Sequence, residues 1–154
     1  MKLLCAAAFA LGLTACASTS VEQYRAETPV LDLKTYLNGT LDAWGMFQGR
    51  SGEVKKRFRV VIDARWDGDT GVLDERFTWS DGTTSTRIWT LKLQPDGTFR
   101  GRADDVIGEA VGEVAGNALR WRYVLALPVD DKIYHVDFDD WMFLMDDKVM
   151  LNRS

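Results

Sequence analysis

Turn-forming pairs recur along the chain at Asp67-Gly68, Asp81-Gly82, Asp96-Gly97, Gly116-Asn117, Asp130-Asp131 and Asp146-Asp147. Most are about 15 residues apart, a spacing that suits strands joined by tight hairpins. The one longer gap, between Gly97 and Gly116, holds Asp104-Asp105 and Gly108, which supply another turn. Between the turns, apolar and polar residues alternate. Phe58, Val60, Ile62, Ala64 and Trp66 fall on one side of a strand and Arg57, Arg59, Asp63 and Arg65 on the other, because successive side chains of a strand point to opposite faces.

The same alternation places Leu73, Phe77 and Trp79 on one strand and Trp89, Leu91 and Leu93 on the next. Further on it gathers Leu119, Trp121, Tyr123, Leu125 and Leu127, then Tyr134, Val136, Phe138, Met142 and Leu144. Segments 44–48 and 149–152 add short strands at the two ends. A parallel sheet needs helical crossovers that this pattern lacks. The expectation is therefore an all-β, antiparallel, up-and-down barrel of about eight strands, closed so that no edge is left exposed; a two-sheet sandwich is the alternative. Ahead of the strands, Asp32 is placed to cap a short helix carrying Leu33, Tyr36 and Leu37 at helical spacing, with Gly39 ending it. Such a helix would plug whatever follows.

The N-terminus reads as an export address. Lys2 is followed by an apolar run from Leu3 to Leu13, too short to cross a bilayer as a helix. Leu13-Thr14-Ala15-Cys16 resembles the lipobox of bacterial lipoproteins, which implies cleavage before Cys16 and acylation of its thiol; more than one acyl chain makes a stable anchor. Ala15-Cys16-Ala17 also fits ordinary cleavage after Ala17. Three segments follow: a signal peptide over residues 1–15, the lipidated Cys16 with a flexible tether over 16–30, and a barrel domain over 31–154. Ala17, in place of an aspartate after the cysteine, implies by the same resemblance the outer membrane, facing the periplasm.

Composition narrows the functions. The formal net charge of -4 becomes one unit more negative when Lys2 leaves, which argues against nucleic acid as a partner and makes the lipid anchor the expected membrane contact. Both cysteines, Cys5 and Cys16, belong to the signal or the anchor, so packing alone must stabilise the body. No G-x-S-x-G, H-E-x-x-H, C-x-x-C or phosphate-binding glycine loop occurs. The sequence therefore points to no cofactor and no established catalytic residue; protein partners are unspecified.

Three charged residues fall on the apolar side: Glu75, Arg87 and Asp140. A buried charge needs a partner, and a hairpin centred on Gly82 sets Arg87 opposite Phe77 and diagonal to Glu75, so a Glu75–Arg87 pair is expected. The pair is either structural or a polar anchor for a ligand head group. Glu75, Arg87, Trp89, Trp121 and Asp140 are accordingly the candidate ligand-binding residues. Gly101, Ala110 and Gly112 leave room in the same interior. His135 lies on the polar side with Asp137 and Asp139, a pattern too common on exposed strands to point to a metal. Asp67-Gly68-Asp69-Thr70-Gly71 resembles the start of a calcium loop but has Thr78 where the bidentate glutamate belongs, so it reads as a hairpin.

Several pieces together resemble the bacterial lipoprotein family of domain of unknown function 3833. They are Tyr36-Leu37-Asn38-Gly39, Ala43-Trp44-Gly45-Met46-Phe47, Leu73-Asp74-Glu75 with Asp81-Gly82, Arg87-Ile88-Trp89, Gly116-Asn117-Ala118-Leu119-Arg120-Trp121 and Asp139-Asp140-Trp141-Met142. The resemblance implies a calycin or lipocalin-like barrel and a lipid-related role. It also implies a further strand beyond Ser154, without which an edge would stay open. The leading expectation is an envelope lipoprotein that binds or carries a fatty acid, modified lipid or other apolar small molecule. A structural or assembly lipoprotein is the second expectation. The third is an enzyme acting on lipid, with Glu75 or Asp140 as acid or base.

Overall fold

A computed structural model describes residues 19–49 and 51–154. Cys16, the signal segment and the apolar run before it lie outside the described residues. Among the described residues, nine strands form one antiparallel sheet in strict sequence order: β1 (Gly39–Gln48), β2 (Val54–Asp67), β3 (Thr70–Trp79), β4 (Thr84–Leu93), β5 (Phe99–Arg102), β6 (Val106–Ala115), β7 (Ala118–Val129), β8 (Lys132–Leu144) and β9 (Met150–Arg153). The expected meander is present and the predicted turn pairs are its hairpins. At the tight turns Gly68, Gly82, Gly97 and Gly116 take positive φ, a conformation that favours glycine because a Cβ would collide with the backbone.

The sheet curls into a half-barrel rather than a closed barrel. β1 pairs only with β2, and β9, four residues long, pairs only with β8. The apolar set of each strand covers the concave face, where Leu73, Trp89, Leu91, Phe99, Leu119, Trp121 and Leu144 form the main core. Here burial of the alternating residues, not closure of the hydrogen-bond ring, drives the curl.

One end of the half-barrel is plugged. Asp32 accepts hydrogen bonds from the backbone of Lys34 and Thr35 at 3.0 and 3.2 Å, capping α1 (Leu33–Tyr36), a single helical turn. Leu31 and Leu33 sink into the main core. Three further contacts tie this plug to turns at the same end of the sheet. Leu31 N–H donates to Gly116 O at 2.8 Å, the Tyr36 hydroxyl donates to Lys148 O at 3.3 Å, and Lys34 pairs with Asp69 at 3.3 Å. Trp66 Nε1 also donates to Leu37 O at 2.7 Å. Because the turns of a meander alternate between ends, the β1–β2, β3–β4, β5–β6 and β7–β8 connections all lie at the opposite, open end.

The stretch expected as a flexible tether departs from that expectation once it enters the described residues. Val21 and Tyr24, on a single 3-10 turn (Val21–Tyr24), pack against the convex face with Ala115, Ala118, Trp141 and Phe143. Tyr24 meets the rings of Trp141 and Phe143 edge-on at 5.9 and 5.1 Å. Arg120 Nη1 donates to Thr19 O at 3.3 Å. The physical reason is an outward apolar patch: Trp141 and Phe143 stand beside Ala115 and Ala118, which are too small to cover them, and the segment supplies the missing cover. No described helix is long and apolar enough to cross a membrane.

Candidate functional site

The concave face is layered. Nearest the plug lies a packed floor in which Trp89 meets Trp121 edge-on at 5.6 Å, both rings buried. A Cβ at Gly101 or Gly112 would overlap the Trp121 ring, and one at Gly71 would lie 2.8 Å from Trp66. The small residues expected to leave room for a ligand instead seat tryptophans. Trp89 and Trp121 are thus the floor beneath any site.

Above the floor runs a belt of polar groups contributed by five strands or turns. Register puts Glu75 of β3 directly opposite Arg87 of β4, and Phe77 opposite Ser85, two residues away from the expected register. The cause is the turn: Trp79 N–H donates to Thr83 O at 2.9 Å and Asp81 accepts from Thr83 N at 3.0 Å. The hairpin therefore centres before Gly82, which takes the positive-φ position late in the turn.

Opposition does not make the expected ion pair. Arg87 turns towards the β5–β6 turn, where its Nη2 and Nε lie 2.6 and 2.9 Å from Asp105 Oδ2. Glu75 forms no ion pair or hydrogen bond among the described residues, and burial, outweighing the nearby Arg87, pushes its carboxyl up from 4.5 to about 7. It is half ionised near neutrality as a result.

Asp140 completes the belt from β8. It is 5% exposed, its Oδ2 accepts the Tyr123 hydroxyl at 3.2 Å, and its Oδ1 is buried with no partner. Burial raises its pKa, with Ser154 and Tyr123 opposing the shift. Desolvation and the neighbouring Asp140 carboxyl likewise hold the Tyr123 phenol above its ordinary range. Asp105 Oδ1 is a second buried oxygen without a partner. The belt therefore offers unused acceptors on an otherwise apolar surface, an arrangement that costs free energy unless a donor meets them.

Beyond the belt, aromatic rings line the way to the open end. Phe77 stacks on Trp79 at 5.5 Å, Phe58 meets both, and Phe47 lies 6.2 Å from Trp79; on the other wall Tyr123 stacks on Phe138 at 4.9 Å. Gly45 makes this packing possible, since a Cβ there would overlap the Phe58 ring. A groove of about 340 Å³ lies on the convex side among Ile107, Glu109, Arg122, Val124, Asp137 and Asp139, with Tyr123 and Phe138 also lining it, where the β6–β7 register slips between Ile107 and Val111. A second, of about 220 Å³, lies among the outward-facing Trp44, Arg57, Arg59, Thr78 and Ser80, with Phe58 and Trp79 also lining it.

Of the sequence-predicted residues, Glu75, Arg87 and Asp140 share the belt and Trp89 and Trp121 lie under it. Asp105 and Tyr123 are the members that sequence reasoning missed. Asp105 was legible only as half of a turn, whereas Tyr123 already stood on the apolar face, where its hydroxyl required a partner. His135, Asp137 and Asp139 occupy the convex side, and Asp139 is taken by Arg120 at 2.7 Å.

Comparison with known proteins gives one family, described as protein of unknown function (DUF3833), whose model matches residues 10–154. No curated protein and no solved structure matches.

Proposed function

Given that the chain belongs to the protein family of unknown function DUF3833, we propose that it is an envelope lipoprotein, anchored through Cys16, whose lipocalin-like half-barrel holds a lipid or other apolar small molecule. The anchor places it at the outer membrane, on the periplasmic side. The observation that carries the binding reading is the polar belt itself. Asp140 presents a buried, unpartnered oxygen, and Glu75 an unpaired carboxyl near neutrality, on a concave wall otherwise made of aromatic and aliphatic groups. An amphiphile satisfies both demands: its apolar part covers Phe58, Phe77 and Phe138, and its head group meets the belt. The head group best matched is one that donates hydrogen bonds, an ammonium or hydroxyl, because the unused atoms are acceptors.

The test is native mass spectrometry of the full-length chain purified from cell envelopes, before and after organic extraction. A non-covalent equivalent of lipid, lost on extraction and depleted by Asp140→Asn or Arg87→Met, supports the reading. A bare mass in the presence of envelope lipid overturns it and favours a structural lipoprotein. Glu75 favours a second reading, an enzyme acting on lipid, because a carboxyl at about 7 can take or give a proton at neutral pH. Turnover that survives Glu75→Gln would remove that residue from such a reaction.

A further inference from the structure

Building on the lipid-holding reading, we propose that the belt selects its ligand by charge: the head group is a primary ammonium, so the protein takes long-chain amines or amino lipids and turns fatty acids away. The charges gathered at the belt point to this. Three carboxyls, Glu75 on β3, Asp105 in the β5–β6 turn and Asp140 on β8, surround one guanidinium, Arg87 on β4. Arg87 stands across the ladder from Glu75, and its charge reaches Glu75, Tyr123 and Asp140 alike. The acids outnumber the cation.

That cation is already engaged. Arg87 gives its Nε and Nη2 to Asp105 Oδ2 at 2.9 and 2.6 Å, and its guanidinium lies 5.9 Å from the Phe77 ring centre, within reach of a cation–π contact. Arg87 thus braces Asp105 at the belt rather than waiting for a ligand. An incoming carboxylate would have to displace Asp105 and would meet two further carboxyls, and like charges brought together on a desolvated wall repel. An ammonium meets the reverse situation. Asp140, 5% exposed, keeps one oxygen without a partner, as does Asp105, and among the described residues Glu75 forms neither ion pair nor hydrogen bond.

The unused atoms are acceptors, which sets the kind of cation. A primary ammonium carries three N–H donors on a compact charge; a quaternary ammonium carries none, and a hydroxyl offers one donor without charge. A positive charge beside Glu75 also favours its ionised form, because an opposite charge stabilises a carboxylate that burial alone disfavours. Glu75 is half-buried and the Asp105 side chain is 38% exposed, so these two are the acids a ligand reaches first. The alkyl tail then lies against Phe58, Phe77 and Phe138 beyond the belt.

The test uses the full-length chain in a non-ionic detergent, with decylamine, decyltrimethylammonium, decanol and decanoate titrated one at a time by native mass spectrometry. Parent and variants are compared probe by probe, which cancels partitioning into micelles. Glu75→Gln removes one acid, Asp105→Asn removes another and releases Arg87 to Glu75, and Asp137→Asn makes the same charge change on the convex side. Decylamine affinity is expected to fall several-fold in both belt variants and to hold in Asp137→Asn, while decanol stays level, decanoate tightens and decyltrimethylammonium falls less than decylamine. Glu75→Gln keeps the test open if Asp105→Asn does not fold. Decylamine binding that is unchanged in the belt variants, or that Asp137→Asn weakens equally, overturns the charge selection and leaves the lipid-holding reading standing. An equal fall for decyltrimethylammonium overturns the primary ammonium. A parent that binds none of the four probes overturns the lipid-holding reading and this one with it.

Discussion

Arg87 stands directly across the β3–β4 ladder from Glu75, yet it closes its ion pair on Asp105, 2.6 Å away in the β5–β6 turn. The choice leaves Glu75 half-buried without a counter-ion of its own, and desolvation together with the charge of Asp105 holds its pKa up. Asp105→Asn removes a negative neighbour and frees the guanidinium. The Glu75 carboxyl should then titrate clearly below about 7, read by carbon NMR of the labelled side chain. Because the Arg87–Asp105 pair is part-exposed, its loss should cost only about 1 kcal/mol in denaturant melts.

Glu75 also gives a signed pH dependence. Its folded pKa of about 7 lies above the ordinary 4.5, so between those values the folded state binds more protons than the unfolded one. Stability from this group therefore falls as pH rises through that window and is level above it. The shift corresponds to at most roughly 3 kcal/mol. Glu75→Gln should abolish the slope, leaving the variant more stable than the parent at pH 8 and nearly equal at pH 4, as read from urea midpoints. A parent whose midpoint is flat across the window would mean that Glu75 ionises as freely folded as unfolded.

The packed floor predicts the cost of filling it. A Cβ at Gly112 would lie 2.5 Å from the Trp121 ring, and Gly112→Ala should destabilise by about 1–3 kcal/mol, as overpacking of a rigid interior does. Trp121→Leu in the same chain should recover part of that loss, although alone it leaves a cavity. If Gly112→Ala melts like the parent, the ring is free to move and the floor is looser than the contacts imply.

Much of this architecture was legible in residues alone. The alternation in Phe58 to Trp66 and the Asp-Gly turns carried the meander, and Asp32 before Leu33 carried the capped plug. The register of Arg87 was not, because it depends on which residue of Ser80-Asp81-Gly82-Thr83 occupies the centre of the turn: the Trp79–Thr83 closure centres it on Asp81, and Gly82 takes the later, positive-φ position. Asp105 was out of reach for another reason: its contact with Arg87 arises from the curl of the sheet, to which sequence spacing has no access. The glycines misled in an instructive way, since a small residue opposite a tryptophan reads equally as vacancy or as a seat.

The N-terminal segment provides the last prediction. Gly116 has φ of +55°, and a Cβ there would overlap the Tyr24 carbonyl. Gly116→Ala should therefore strain the β6–β7 turn and push the Val21–Tyr24 turn off the convex face together. Tyr24→Ala removes the edge contacts to Trp141 and Phe143 without straining the turn, at a cost of about 1–3 kcal/mol. Arg25, exposed beside these contacts, is a tryptic site whose cleavage requires the segment to lift. Both variants should be cut after Arg25 several-fold faster than the parent, while the amides of β2 and β3 keep their protection from hydrogen exchange. If Tyr24→Ala is cut no faster, the aromatic contacts do not hold the segment; if β2 and β3 lose protection as well, the segment is part of the cooperative unit rather than a strap laid over it.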